Sequence, residues 1–226
     1  MAKAFIAGLV LCGITALVWA FAFDWPKPSA SGVALLVVSC LASRLRVKLP
    51  GLTGTMSVNL PFILLAVATL SISESMVVGC VSTLTQCLPA ALKKFNAIQA
   101  AFNVCNMALA VTATRLILGS ETLAAFVTPH PLRLVTAAAG YFLVNTIPVA
   151  IIISMTERCS VVHTWAGMFQ LSFPYYVASA GIAGIVLTLA KHIGWLQPMA
   201  MLLIMFGVLH SYRCYFSQAS RPGANS

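Results

Sequence analysis

The chain is divided by long uncharged runs, and the first of them, Ala4–Phe23, extends over 20 residues. An α-helix needs about 20 apolar residues to cross the hydrocarbon core of a bilayer, and apolar runs recur along the sequence. Only 8% of the 226 residues are charged and 60% are hydrophobic, whereas soluble domains carry about 25% charged residues. The sequence therefore predicts an all-α integral membrane protein, a bundle of transmembrane helices.

Charged and turn-forming residues divide the apolar sequence into about eight spans, within a range of six to eight. The first run is too long for the apolar core of a signal peptide, so we expect it to be retained. Residues 1–212 then form one transmembrane domain, and residues 213–226 form a short polar, disordered cytoplasmic tail. The predicted spans are Ala4–Phe23, Ser31–Ala42, Val58–Ile72, Met76–Leu92, Phe95–Leu118, Leu132–Ser154, Tyr175–Ala190 and Met199–Tyr212.

Three connections carry further predictions. Ser73–Ser75 is so short that the spans on either side of it must form an antiparallel hairpin. The pair Lys93–Lys94 makes a tight corner before the fifth span. In Cys159–Phe173, apolar and aromatic side chains alternate with polar ones, which is typical of a helix lying in the membrane interface. We expect this stretch not to span and to end at Pro174.

The basic residues predict the orientation, because Lys and Arg are enriched in cytoplasmic loops. With both termini cytoplasmic, most of the 13 basic residues lie inside. They are scattered and form no basic face, so we expect lipid and not nucleic acid as the partner. The inside set is Lys3, Arg44, Arg46, Lys48, Lys93, Lys94, Arg158, Arg213 and Arg221, and the outside set is Lys27, Arg115, Arg133 and Lys191.

Few residues are available for catalysis or ion coupling. The acidic residues Asp24, Glu74, Glu121 and Glu157 all fall in predicted connections. The sequence contains no hydrolase, zinc-protease or phosphate-loop motif, and its four histidines lie in different segments. Five of the seven cysteines lie in apolar runs without a C-x-x-C pair, which favours reduced packing residues over a metal site. We expect no enzymatic activity, no metal site and no cofactor.

The strongest polar feature is a row of carboxamides on the predicted fifth span. At about 100° per residue its members fall within an arc of about 80° on one helix face. A carboxamide in lipid loses its hydrogen-bond partners, so this stripe must face protein or water. We predict that it faces the bundle interior and reaches toward Gln86 and Asn145. The stripe consists of Asn96, Gln99, Asn103 and Asn106.

Two interpretations of the stripe stay open. In the first, the carboxamides hold helices together through interhelical hydrogen bonds, each contributing on the order of 0.6 to 2 kcal/mol. In the second, they line a cavity and fix a small polar ligand between helices. Four carboxamides on one face are more than are needed to fix the alignment of neighbouring helices, and this excess supports the ligand interpretation.

Short motifs along most of the chain resemble a bacterial signalling module. They are Leu60-Pro61-Phe62-Ile63-Leu64-Leu65-Ala66, Glu74–Gly79, Gln86, Phe95-Asn96-Ala97-Ile98-Gln99, Tyr141–Thr146, Pro174-Tyr175-Tyr176 and Ser211-Tyr212-Arg213. On these motifs the chain resembles the multi-span N-terminal membrane sensor region found ahead of diguanylate cyclase (GGDEF) or HD-GYP phosphodiesterase domains. The resemblance implies a sensor in the bacterial inner membrane. Only Cys214–Ser226 follow the last motif, so it implies no cyclic-dinucleotide chemistry here.

The leading hypothesis is a non-enzymatic, sensor-like membrane module that binds a small ligand or a partner protein, such as a separate output protein. One alternative is a transporter or a substrate-capture subunit with a separate coupling protein, by analogy with the compact helical membrane subunits of vitamin transporters. Another alternative is a structural partner subunit. A neighbouring gene for an ATPase pair would favour transport, and one for an output domain would favour sensing. The ligand and the oligomeric state stay open.

Overall fold

A computed structural model describes residues 2–27, 29–48, 55–88, 95–126, 130–193 and the single residue 207. Within these residues the chain forms eight α-helices and a two-stranded ribbon, β1 (Arg46–Lys48) with β2 (Thr55–Ser57). Apart from Gly207, the predicted span Met199–Tyr212 lies outside the described residues, as do the tail and the Lys93–Lys94 corner. The helices are α1 (Ala2–Phe23), α2 (Ala30–Arg44), α3 (Leu60–Thr69), α4 (Ile72–Cys87), α5 (Ala97–Leu118), α6 (Glu121–Phe126), α7 (His130–Glu157) and α8 (Val161–Ile193).

The described helices include three that are long and apolar enough to cross a membrane: α1, α5 and residues Leu132–Glu157 of α7. A fourth candidate arises if the two arms of α8, Val161–Gln170 and Ser172–Thr188, form one bent span. α2 and α3 are apolar but short, with 15 and 10 residues. At 1.5 Å per residue they measure about 22 and 15 Å, less than the roughly 30 Å hydrocarbon core. A helical membrane architecture is thus supported, whereas a bundle of eight spans is not confirmed.

A short ribbon joins α2 to α3 and leaves the predicted all-α class in place. β1 and β2 pair antiparallel, with Val47 opposite Met56. Each strand has only three residues, and the β-branched residues Val47 and Thr55 suit extended backbone. A ribbon this short gives almost no periodic signal in the sequence, which explains why it was not predicted.

α2 and α4 run parallel, as contacts at both of their ends show. At their starts, the hydroxyl of Ser29 donates to the carboxylate of Glu74 at 2.9 Å. At their other ends, Arg44 donates to the carbonyl of Leu88 at 3.3 Å. Because α1 ends at Phe23, a short connection before Ser29, the start of α1 lies at the end of the bundle that holds Arg44.

α3 and α4 form the predicted antiparallel hairpin. Asn59 donates to the Ser82 hydroxyl at 3.2 Å, and the Ser75 hydroxyl donates to the carbonyl of Ala66 at 3.0 Å. The turn, however, falls at residues 70–71 and not at Ser73–Ser75. α4 already begins at Ile72, so the predicted placement of the turn is wrong.

A capping box at the start of α4 explains why the turn lies earlier in the sequence than predicted. The Ser71 hydroxyl accepts from the amide of Glu74, and the Glu74 carboxylate accepts from the amide of Ser71, each at 3.3 Å. These two bonds satisfy amides that a helix start leaves without partners. Glu74 therefore belongs to the first turn of α4, which corrects its assignment to a connection. The sequence signal, Ser-x-x-Glu before an apolar run, was readable.

α3 is buried along most of its length, from Leu60 to Val67. Its last carbonyls need donors from elsewhere, because a helix end leaves them unpaired. Arg115 of α5 supplies them, donating to the carbonyls of Val67 at 2.7 Å and Leu70 at 3.3 Å. Arg115 was predicted only as one of the basic residues on the outside, so its structural role was missed.

The remaining helices alternate in direction. α5 is antiparallel to α4, since Arg115 lies near the α3–α4 turn while Asn103 contacts Cys87 at the other end of α4. α7 is antiparallel to α5, because Arg133 near the start of α7 donates to the carbonyl of Leu118 at 2.9 Å. α8 folds back along α7, with the Trp165 indole donating to the hydroxyl of Thr146 at 3.1 Å.

α8 corrects the boundary predicted for Cys159–Phe173, whereas the interfacial placement of this stretch stays a prediction. The helix runs through Pro174 to Ile193, so the predicted boundary at Pro174 is wrong. Trp165, Phe169 and Phe173 pack against the core on α7. Pro174 lacks the amide that would bond the carbonyl four residues earlier, and proline bends helices there. The two arms of α8 accordingly meet at 47° beside residue 171.

Candidate functional site

A chain of hydrogen bonds joins α5, α7 and α8 in the interior. The side-chain amide of Asn106 donates to the backbone carbonyl of Asn145 at 2.9 Å and to its side-chain oxygen at 3.2 Å. The side-chain amide of Asn145 then donates to the hydroxyl of Tyr176 at 3.0 Å. We call Asn106, Asn145 and Tyr176 the polar chain. Each helix contributes one residue to it.

Both α7 and α8 contain a proline beside the polar chain. Pro148 lies three residues after Asn145, and Pro174 lies two residues before Tyr176. Each proline removes a backbone donor and leaves the carbonyl four residues earlier without its helical partner. Such interruptions in apolar helices are tolerated where neighbouring helices supply polar partners. The polar chain lies at this weakened part of the α7–α8 pair.

The side-chain oxygen of Asn106 has no hydrogen-bond partner within the described part of the chain. Asn106 is only 2% exposed, so bulk water does not reach this oxygen. Leaving a buried acceptor unsatisfied costs about 1 to 3 kcal/mol, and more than nine buried polar groups in ten are paired. The side-chain nitrogen of Asn106 already donates both of its bonds to oxygens of Asn145. Exchanging the nitrogen and oxygen of the Asn106 side chain would lose both bonds.

Aromatic rings surround the polar chain. The ring of Phe142 lies 4.8 Å from that of Tyr176 and 5.6 Å from that of Phe169, in edge-to-face geometry. Tyr141, one turn before Asn145, is buried and lies 6.0 Å from Tyr176. Its hydroxyl donates to the sulfur of Met107 at 3.1 Å. A thioether is a weak acceptor, so this buried hydroxyl has spare hydrogen-bonding capacity.

The structure joins two of the predicted site residues, Asn106 and Asn145, by a side-chain hydrogen bond. Asn106 reaches Asn145 as predicted. Asn103 is half-buried and donates to the sulfur of Cys87 at 3.4 Å, one residue beyond the half-buried Gln86. The stripe as a whole therefore does not share one environment.

Asn96 and Gln99, the first two members of the stripe, do not face the bundle interior as predicted. α5 begins at Ala97, and Asn96 is its N-cap, accepting the backbone amide of Gln99 at 3.1 Å. Asn is a favoured N-cap because its side-chain oxygen replaces a missing helical acceptor. Both Asn96 and Gln99 are exposed in the described structure. Helical periodicity placed them on the face of Asn106, but it did not show where the neighbouring helices cover that face.

Tyr141 and Tyr176 are the site residues that the sequence analysis missed. Both belonged to motifs that were noted for resemblance alone. A buried tyrosine in an apolar run needs a partner for its hydroxyl, so each was a readable signal for a polar neighbour.

The chemistry available here is hydrogen bonding between neutral groups. On α5, Arg115 lies nine residues beyond Asn106, which is about 13 Å along the helix axis. Across the described residues no group of three His, Cys, Asp or Glu side chains is placed to hold a metal ion. The polar chain can orient a neutral donor or acceptor. Comparisons with protein-family models, curated proteins and solved structures found no match for this chain.

Proposed function

We propose that the protein is a sensor-like, non-enzymatic module of the bacterial inner membrane that binds a small ligand between α5, α7 and α8 and reports to a separate output protein. It would consist of one transmembrane domain over residues 1–212, with about eight spans and both termini cytoplasmic. The observation that carries the proposal is the buried side-chain oxygen of Asn106, which lacks a partner in the described structure.

The distribution of charge supports the orientation. Helix directions gather one set of basic residues at the end of the bundle where α1 begins, with Glu157 beside them. At the opposite end, three acidic residues offset most of the charge of four basic residues. Positively charged ends of membrane bundles face the cytoplasm. The basic end carries Lys3, Arg44, Arg46, Lys48 and Arg158, and the opposite end carries Asp24, Lys27, Glu74, Arg115, Glu121, Arg133 and Lys191.

Hydrogen bonding supports a ligand over simple interhelical contact. Side chains that only fix helix registry satisfy one another, and a buried group without a partner weakens such a contact. Here the three residues of the polar chain make good bonds among themselves, yet the Asn106 oxygen is left over. The hydroxyl of Tyr141, one turn before Asn145 on α7, donates to a sulfur, which is a weak acceptor. A molecule that enters this centre gains bonds that the protein does not make by itself.

Ligand-dependent stability tests the proposal. Protein purified from its own membrane would be examined by native mass spectrometry, and its thermal unfolding in lipid nanodiscs would be followed with fractions of a membrane-extract metabolite pool. The variants are Asn106→Leu and, as a matched control on the same helix, Asn103→Leu. We expect a bound molecule and a stabilising fraction for wild type and Asn103→Leu, and no stabilisation of Asn106→Leu. Finding neither a bound molecule nor a stabilising fraction for wild type would overturn the proposal.

A further inference from the structure

Resting on the proposed function, we infer a chemical class for the ligand. The centre between α5, α7 and α8 takes an uncharged, lipid-partitioning molecule that carries an aromatic ring and a hydroxyl or N–H donor. The donor bonds the side-chain oxygen of Asn106, and the ring lies among the aromatic side chains around Phe142.

The requirement for a donor follows from which bonds are already made. The side-chain nitrogen of Asn106 is fully used by Asn145, so only its oxygen is available, and an oxygen of this kind only accepts. A carbonyl or ether group on the ligand would face this acceptor without a proton between them. A hydroxyl or N–H group satisfies it.

A hydroxyl fits better than an N–H donor because of Tyr141. Tyr141 bonds the sulfur of Met107, the residue that follows Asn106 on α5, so the tyrosine hydroxyl reaches the turn of α5 that carries Asn106. By giving up the weak sulfur acceptor, Tyr141 can donate to a ligand oxygen. A ligand hydroxyl would thus donate to Asn106 and accept from Tyr141.

The absence of charge on the ligand follows from the surroundings. On the described parts of α5 and α7 the charged residues nearest the polar chain are Arg115, Arg133 and Glu157, each nine or more residues away from Asn106 or Asn145. An ion in this centre would be removed from water without a counter-charge, which is strongly unfavourable. A neutral molecule avoids this cost and can arrive through the bilayer.

The aromatic part follows from the rings that line the site. Phe142 contacts Tyr176 edge to face, and the Tyr141 ring lies 6.0 Å from that of Tyr176. Aromatic rings favour offset or edge-to-face neighbours, so a further ring extends this arrangement. An aliphatic chain would lose these contacts.

Matched probes test each part of the inference. Phenol has a ring and a donor, whereas anisole has the same ring without the donor. Benzyl alcohol and the benzylammonium ion form a second pair that differs in charge. Binding to the full chain in nanodiscs of phosphatidylethanolamine and phosphatidylglycerol would be measured by titration calorimetry, with subtraction of the uptake by empty nanodiscs.

We expect saturable binding of phenol and benzyl alcohol to the wild type. Anisole should bind about tenfold more weakly, which is the upper range for one neutral hydrogen bond. The benzylammonium ion should not bind measurably. Asn106→Leu should lose the preference for phenol over anisole, while Asn103→Leu should keep it. Tyr141→Phe, which keeps the ring and removes the hydroxyl, should weaken phenol binding several-fold and serves if Asn106→Leu does not fold.

Equal binding of phenol and anisole to the wild type, or tight binding of benzylammonium, would overturn the inference. So would a phenol preference that survives both Asn106→Leu and Tyr141→Phe. These outcomes are separate from failure of the proposed function, because a stabilising molecule from the membrane extract that lacks a ring or a donor would uphold the module and refute only the ligand class.

Discussion

Two consecutive residues of α5 contact two different kinds of neighbour. Cys105 lies against Gly13 of α1, where the helices approach so closely that a methyl group on Gly13 would overlap the cysteine backbone. Asn106 lies against α7, where the contact is a hydrogen bond and one acceptor is left without a partner. The first contact depends on shape and leaves no room for a guest. The second depends on polar groups that a small molecule can complete.

The largest expected effect comes from Gly13→Ala, which disturbs the shape-dependent side of α5. An added Cβ would lie 2.6 Å from the Cα and 2.8 Å from the carbonyl oxygen of Cys105. These are backbone atoms, so the helices must separate. We expect the free energy of unfolding to fall by about 2 to 3 kcal/mol. Thermal or chemical unfolding in detergent measures this change.

Gly8→Ala is the matched control on the same helix. An added Cβ at Gly8 meets nothing within 4 Å, and alanine favours helices over glycine. Gly8→Ala should therefore leave stability unchanged or raise it by up to about 1 kcal/mol. Equal destabilisation by both substitutions would show that the α1–α5 approach is looser than described.

The next largest loss of stability is expected at the end of α5, where the charged side chain of Arg115 contacts α3 through hydrogen bonds. Arg115→Met keeps much of the side-chain length but removes the donors to Val67 and Leu70. Hydrogen bonds to charged groups contribute about 1.5 to 3 kcal/mol, and Arg115 is partly exposed, so we expect a loss of about 2 kcal/mol. Lys27→Met, at an exposed residue near the same end, should change stability by less than about 0.5 kcal/mol. If both variants behave alike, Arg115 does not support the end of α3.

The long helices were predictable because their signal is long. α1, α5 and α7 coincide within a few residues with predicted spans. A run of about 20 apolar residues identifies a membrane-spanning helix even when single residues within it are uninformative. The α3–α4 hairpin was predicted from its short link. Its turn was misplaced because Ser73–Ser75 looks like a polar loop, whereas the capping box of Ser71 and Glu74 places these residues inside a helix.

The parts that could not be predicted depend on neighbours distant in sequence. Nothing local to Pro174 shows that α7 packs along both arms of α8 and keeps the helix continuous. Periodicity correctly placed Asn106 and Asn145 in contact, because both lie inside long helices. The same periodicity failed for Asn96 and Gln99, because the extent to which other helices cover α5 is a tertiary property.

A smaller effect is expected from breaking the polar chain. Asn106→Leu and Asn145→Leu each remove hydrogen bonds but also remove a desolvated amide, so each should cost about 1 kcal/mol or less. Because the two residues contact each other, the double variant should not be additive. We expect a coupling free energy of about 0.6 kcal/mol, and at most about 1.7 kcal/mol. Additive losses would show that the two side chains do not interact in the bilayer.

The smallest effect is expected at the exposed start of the stripe. Gln99 lies on the helix face predicted to carry Asn106, but its side chain is exposed, and its backbone amide is the group that Asn96 caps. Gln99→Leu leaves that amide in place, so the free energy of unfolding should change by less than about 0.5 kcal/mol. Ligand-induced stabilisation should match the wild type, because the polar chain is two turns away. If Gln99→Leu instead abolishes that stabilisation as Asn106→Leu does, the carboxamides act as one continuous site, and the division of α5 into a packed half and an exposed start is wrong.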